Sequence, residues 1–64
     1  MSDYGKAIEI AERLRVKGTP IGAIDILIAA MVINRKKKLL TKDKDFLKIK
    51  DIYDDFIVDI LKEN

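Results

Sequence analysis

The residues able to do chemistry in this chain are carboxylates, because the 64-residue sequence holds neither His nor Cys. Zinc sites of the usual kind, disulfides and nucleophilic triads built on those residues are thereby excluded. Three aspartates stand out by position. Asp25 lies between Ile24 and Ile26 inside the most apolar stretch of the chain, while Asp43 and Asp45 follow the short apolar run Leu39-Leu40-Thr41. An ionised carboxylate among isoleucines is costly unless it is paired or bound to a cation. Three ordinary roles compete for Asp25: bonding to helix N-terminal amides, pairing with a nearby Lys or Arg, or facing water on a thin polar stripe. For Asp43 and Asp45 the competing role is Asp-rich turn chemistry. A cluster that offers only oxygen suits a hard cation, Mg²⁺ or Mn²⁺. Such a cation orients an attacking water and stabilises the leaving oxygen of a phosphodiester. Thr41 can add a hydroxyl, and Lys42 and Lys44 are the basic residues best placed to meet a phosphate backbone.

The elements that must position these residues follow from the pattern. Residues 2 to 17 read as an amphipathic helix, with Tyr4, Ala7, Ile8, Ala11 and Leu14 on its apolar face. Ser2 or Asp3 caps its start, Glu9 precedes Arg13 by four residues, and Gly18 ends it. Thr19 and Pro20 are expected to open a second helix as cap and first residue. That helix is apolar almost all round from Ile21 to Ile33, which predicts the most buried element, and it runs out into Asn34 and the basic residues 35 to 38. Leu39–Thr41, starting as early as Lys38, predicts a strand, residues 42 to 45 a turn, and Phe46, Leu47 and Ile49 a short helical turn. Residues 56 to 61 favour a second strand, with a helix as the competing assignment because Ile52, Phe56 and Ile60 are spaced by four. Tyr4, Phe46, Tyr53 and Phe56 are expected to be core or half-buried rather than nucleic-acid contacts.

The segment between the two strands is just long enough for a parallel crossover. The fold class is therefore α/β, one domain over residues 1 to 64 with two main helices and two short parallel strands. A helix feeding a parallel strand runs opposite to it. Asp25, about a turn and a half into the second helix, should thus share the carboxyl-end rim of the sheet with Asp43, and ligands collect at such rims. Two parallel strands are too few to stand alone, so completion by self-association is expected.

Composition narrows the classes further. At 48% hydrophobic and 38% charged the chain is not disordered. The longest apolar stretch, 21 to 33, contains Asp25 and falls short of the roughly 18 residues a membrane span needs. The opening residues carry an acid and no apolar core, so a cysteine-free cytoplasmic protein is expected. The net charge of +2 is unevenly spread: residues 1 to 50 carry +6 and residues 51 to 64 carry −4. A basic face is useful near polyanions, although solvated charges at two ends that offset one another explain the same split.

Two separated motifs resemble a known family. Gly18-Thr19-Pro20-Ile21-Gly22-Ala23-Ile24-Asp25-Ile26-Leu27-Ile28-Ala29-Ala30, followed by Leu39-Leu40-Thr41-Lys42-Asp43-Lys44-Asp45-Phe46, is similar to the C-terminal half of a PIN domain, closest to the prokaryotic VapC-type toxin ribonucleases. The likeness covers about residues 5 to 61. It implies a partial PIN-like fold and Mg²⁺- or Mn²⁺-dependent endonucleolytic cleavage of RNA. It also implies Asp25 and Asp43 as metal-site acids with Asp45 auxiliary and Thr41 as polar support, dimerisation, and pairing with an antitoxin protein. The chain departs from the family pattern in one respect. Such domains begin with a strand carrying a first aspartate and place a second acid on an early helix. Asp3, Glu9 and Glu12 sit on what matches a later helix and do not take those roles. Two functions follow: a ribonuclease completed in a longer parent or an oligomer, and a non-catalytic oligomerising module that binds an antitoxin or nucleic acid.

Overall fold

A computed structural model describes residues 2–62. In chain order the elements are α1 (Asp3–Lys17), α2 (Ala23–Asn34), β1 (Lys38–Thr41), α3 (Phe46–Lys50) and β2 (Ile57–Ile60). This is a mixed helix and strand fold, and β1 and β2 pair in parallel with Lys38 opposite Ile57 and Thr41 opposite Ile60. Among the described residues no helix is long and apolar enough to cross a membrane.

Ser2 opens α1 by accepting the Gly5 N–H on its hydroxyl at 2.9 Å. Gly18, at φ +80°, closes it. The Gly18 N–H donates to the Arg15 carbonyl and the Thr19 N–H reaches back to Leu14, the paired bonds of a Schellman stop. That stop corrects the expected start of α2. Thr19 serves the end of α1, the residue before a proline is held away from the helical region, and α2 begins only at Ala23 behind a Gly22 cap. Asp25 therefore lies in the first turn of α2, nearer its N-terminus than expected. Among the described residues the Thr19 hydroxyl is left buried without a protein partner.

The end of α2 repeats the stop of α1. The Lys36 and Lys37 N–H groups donate to Ile33 and Val32, with Lys36 at φ +53° where α1 uses glycine. Contrary to the expectation, no basic residue lies in the last turn of α2. Arg35 instead pairs with Asp3 at 3.0 Å, beside an Asn34 side-chain donation to the same carboxylate, also at 3.0 Å. This fastens the end of α2 to the start of α1, so the two helices run antiparallel.

The core comprises Ile10 and Leu14 of α1, Ile26, Ala29, Ala30 and Ile33 of α2, Phe46 and Ile49 of α3, and Tyr53 and Phe56 ahead of β2. As expected, α2 contributes most, and Phe46 and Phe56 meet as a tilted ring pair at 6.3 Å. The apolar face of α1 is the expected one only in part: Leu14 is buried and Ala7 packs against the core, but the core side is centred on Ile10 rather than on Tyr4 and Ile8. Ile10 is fully buried, whereas Tyr4 and Ile8 are 78% and 65% exposed and lie with Leu27 along a groove beside α2. Both faces of α1 carry apolar residues at helical spacing, and α2 covers only the one holding Ile10 and Leu14. Glu9 does not form the expected ion pair with Arg13. It accepts from the Tyr53 hydroxyl at 2.6 Å and pairs with Lys6, while Arg13 sits over the Tyr53 ring at 5.2 Å. Leu39 and Val58 turn from the sheet toward the helices, and Leu40 and Ile57 are exposed.

Candidate metal centre

Because β1 leaves the sheet at the same end at which α2 begins, the chain after Thr41 passes the first turn of α2. Asp25, Asp43 and Asp45 each offer a carboxylate oxygen there, and the three oxygens lie within 4.8 Å of one another. Asp25 is half-buried, and Asp43 and Asp45 are exposed. The three aspartates singled out by sequence are thus brought together on one rim.

Local bonds hold Asp43 and Asp45 in place. The Thr41 hydroxyl accepts the Asp43 N–H at 3.1 Å, and an Asp43 carboxylate oxygen accepts the Asp45 N–H at 2.9 Å. These side-chain turns bend the chain sharply after β1, the ordinary work of Thr and Asp in such positions. Asp45 pairs with Lys48 at 3.6 Å. The Asp25 carboxylate folds back toward the helix start, with Oδ2 at 3.9 Å from where a Cβ on Gly22 would stand. A negative charge in the first turn is favourable for the helix dipole, which supplies one ordinary reason for Asp25. Half-exposure in the first turn also makes its charge less costly than a place deep among isoleucines would.

The donor set fits a hard cation. Oxygen ligands on opposite sides of Mg²⁺ stand about 4.1 Å apart and those around Ca²⁺ about 4.8 Å apart. A rim with three protein oxygens suits Mg²⁺ or Mn²⁺ better than Ca²⁺, because Mg²⁺ keeps several waters and takes one or two carboxylates plus substrate phosphate. Exposed acidic groups are also common on proteins that hold no ion there.

Other acids are engaged elsewhere. Asp3 is held below the usual carboxylate range by its bond from Asn34 and by Arg35. Glu9 is lowered by the Tyr53 hydroxyl first and then by Lys6, and Glu12 by Arg15. None of the three joins the cluster at the rim.

Lys42 and Lys44 flank Asp43 and open on a recess of about 510 Å³, lined also by Ile60, Leu61 and Lys62. Sequence reasoning singled out the first two lysines and missed Lys62. The signal was present in the strand assignments: parallel pairing carries the chain past both strands at one edge, so a lysine just after β2 must emerge beside one just after β1. The Leu61 N–H bond to the Thr41 carbonyl, at 2.7 Å, fixes that edge. Lys38 opens β1, at the end of the strand away from the rim, and pairs with Asp59 at 2.8 Å.

No protein-family model, no curated protein and no solved structure matches this chain.

Proposed function

We propose that the rim formed by Asp25, Asp43 and Asp45 binds Mg²⁺ or Mn²⁺, and that the chain is a partial PIN-like protein related to metal-dependent endoribonucleases of the VapC type. The observation that carries this reading is the meeting of the three carboxylates at the carboxyl end of a parallel strand. Bound there, the cation supplies charge neutralisation and an activated water for phosphodiester hydrolysis. The protein's own part is to hold Asp43 and Asp45 through the Thr41 turn, to hold Asp25 on the rigid first turn of α2, and to bring the RNA backbone near through Lys42 and Lys44. RNA is the substrate class in this reading, and an antitoxin protein the regulatory partner.

A second reading has its own support. Among the described residues only these three acids meet at the rim, while Asp3, Glu9 and Glu12 are committed to other partners. With so few ligands, the chain alone acts as a non-catalytic oligomerising module that binds an antitoxin or nucleic acid. Mn²⁺ titration followed by a labelled-RNA cleavage assay separates the two. We expect Mn²⁺ binding without robust cleavage by the isolated chain. Cleavage that disappears in Asp25→Asn or Asp43→Asn would establish the enzyme reading, and absence of any Mn²⁺ binding would remove the metal site from both.

Self-association belongs to the same proposal. Parallel sheets are normally covered on both faces, yet Leu40 and Ile57 stand exposed on β1 and β2, and Ile24 of α2 is 76% exposed. Sedimentation at micromolar concentration should give a homodimer or larger species. A monodisperse monomer would refute it.

A further inference from the structure

The recess beside the rim has a composition of its own. Lys42, Lys44 and Lys62 converge on it, and Ile60 and Leu61 supply the rest of its lining. The structure pairs Lys6, Arg15, Arg35, Lys38 and Lys48 with carboxylates, but among the described residues it gives Lys42, Lys44 and Lys62 no ion pair and no hydrogen bond. Three cationic side chains lining one recess give it a positive potential that favours an anion there. The apolar lining adds a surface on which a sugar or base can rest without competing for the lysines. We infer that this recess holds a phosphate of a single-stranded polynucleotide, next to but separate from the phosphate facing the carboxylates.

The adjacency follows from the covalent chain. Asp43 stands between Lys42 and Lys44, with about 3.8 Å from one Cα to the next. One strand of nucleic acid can therefore meet the lysine recess and the carboxylate rim at once, whereas a single inorganic phosphate can occupy only one of them. The choice of a polynucleotide rests on the phosphodiester reading of the rim, but the anion chemistry of the recess does not. The recess needs no metal. It works as an anchor while the carboxylates still repel phosphate, and a divalent cation at the rim then strengthens the hold on the same strand.

The test measures binding of a fluorescein-labelled oligouridylate by anisotropy, in EDTA and across a range of salt concentrations. Each phosphate neutralised on a single strand contributes about −0.7 to the slope of log K against log salt. The one phosphate held in the recess should give the wild type a slope near about −0.7, and Lys62→Gln or Lys44→Gln should each flatten it and weaken binding at low salt about tenfold. Lys37→Gln, at the opposite end of β1, should leave both slope and affinity unchanged. Equal loss in Lys37→Gln would mean diffuse attraction and overturn the site, as would no binding in EDTA. Competition by pyrophosphate as effective as by unlabelled oligouridylate would overturn the polynucleotide in favour of a small-anion site. Mn²⁺ binding is read separately by calorimetry. Failure of Mn²⁺ to bind with the lysine-dependent slope intact would remove the metal reading alone, and the reverse pattern would remove only this one.

Discussion

Three carboxylates within 4.8 Å repel one another in the absence of a cation, and that repulsion gives the metal proposal a test in which no RNA is needed. In water a pair of unit charges at that distance costs about 0.9 kcal/mol, and physiological salt roughly halves it. Asp25→Asn removes two of the three pairs, a gain of about 1 kcal/mol. It also removes a charge favourable to the start of α2, a loss of about 0.5 kcal/mol. In EDTA the variant should therefore be equal to the wild type or more stable by about 0.5 kcal/mol, a rise of about 2 to 4 °C in Tm for a domain of this size. Free Mn²⁺ at a hundredfold over its Kd should stabilise the wild type by about 2.7 kcal/mol, or roughly 10 to 20 °C. Asp25→Asn, left with two carboxylates, should gain far less, so the order of stabilities inverts between EDTA and Mn²⁺. Reversible thermal unfolding followed by circular dichroism reads both conditions, with the exposed Asp54→Asn as a control that should behave like the wild type. Equal Mn²⁺ shifts in the wild type and Asp25→Asn would refute the shared site, as would an Asp54→Asn variant that loses the shift.

The two helix stops make opposite predictions from one geometry. Gly18→Ala has open space for its Cβ but must hold φ +80°, so it should lose about 1 kcal/mol, while Lys36→Gly at φ +53° should gain up to about 1 kcal/mol; urea midpoints measure both. Thr19→Val replaces a buried hydroxyl, without a protein partner among the described residues, with a methyl of the same shape, and should raise stability by about 1 kcal/mol in the same assay. The depressed carboxylates Asp3 and Glu9 stabilise the fold fully above their unfolded values of 3.8 and 4.5. That contribution is lost as pH falls through their lower folded values, so urea midpoints should be flat from neutrality to about pH 5 and then decline. Tyr53 is raised, by burial first and then by Glu9, so its contribution is present below 10 and is lost at strongly alkaline pH. Tyr53→Phe should soften the acid decline, and an unchanged acid limb would show that the Tyr53 to Glu9 bond is not formed in solution.

What could be read from the letters alone depended on whether the deciding interaction was local. The Ser2 cap, the Gly18 stop, both strands and α3 lie where residue type dictates, because each is settled within a few residues. The face of α1 was readable only in part. Ala7, Ile10 and Leu14 form one apolar row and Tyr4, Ile8 and Ala11 another, and only the antiparallel approach of α2, fixed by Asp3 with Asn34 and Arg35, selects the first. The start of α2 was misread for a related reason. Thr19-Pro20 has the letters of a helix opening, but the Thr19 N–H already serves Leu14 at the end of α1. The stop at Lys36 carries no signature residue at all, since lysine is not a favoured occupant of a left-handed position.

The gathering of Asp25, Asp43 and Asp45 was nevertheless legible, because it depends on direction more than on contact. A helix that precedes a parallel strand and packs beside it must begin where the strand ends, whatever the detail of its packing. An acid early in α2 and an acid just after β1 are then neighbours even when the first residue of the helix is wrongly placed. The shift of the α2 start from Thr19 to Ala23 changed the meaning of Asp25, from a charge embedded in an apolar helix to a half-exposed charge in its first turn, without moving it off the rim. The same rule of direction applies to β2, and there it places Lys62 beside Lys42 and Lys44. The carboxylates and the lysines thus share one cause. Both strands run the same way, and everything charged that follows either of them emerges at a single edge.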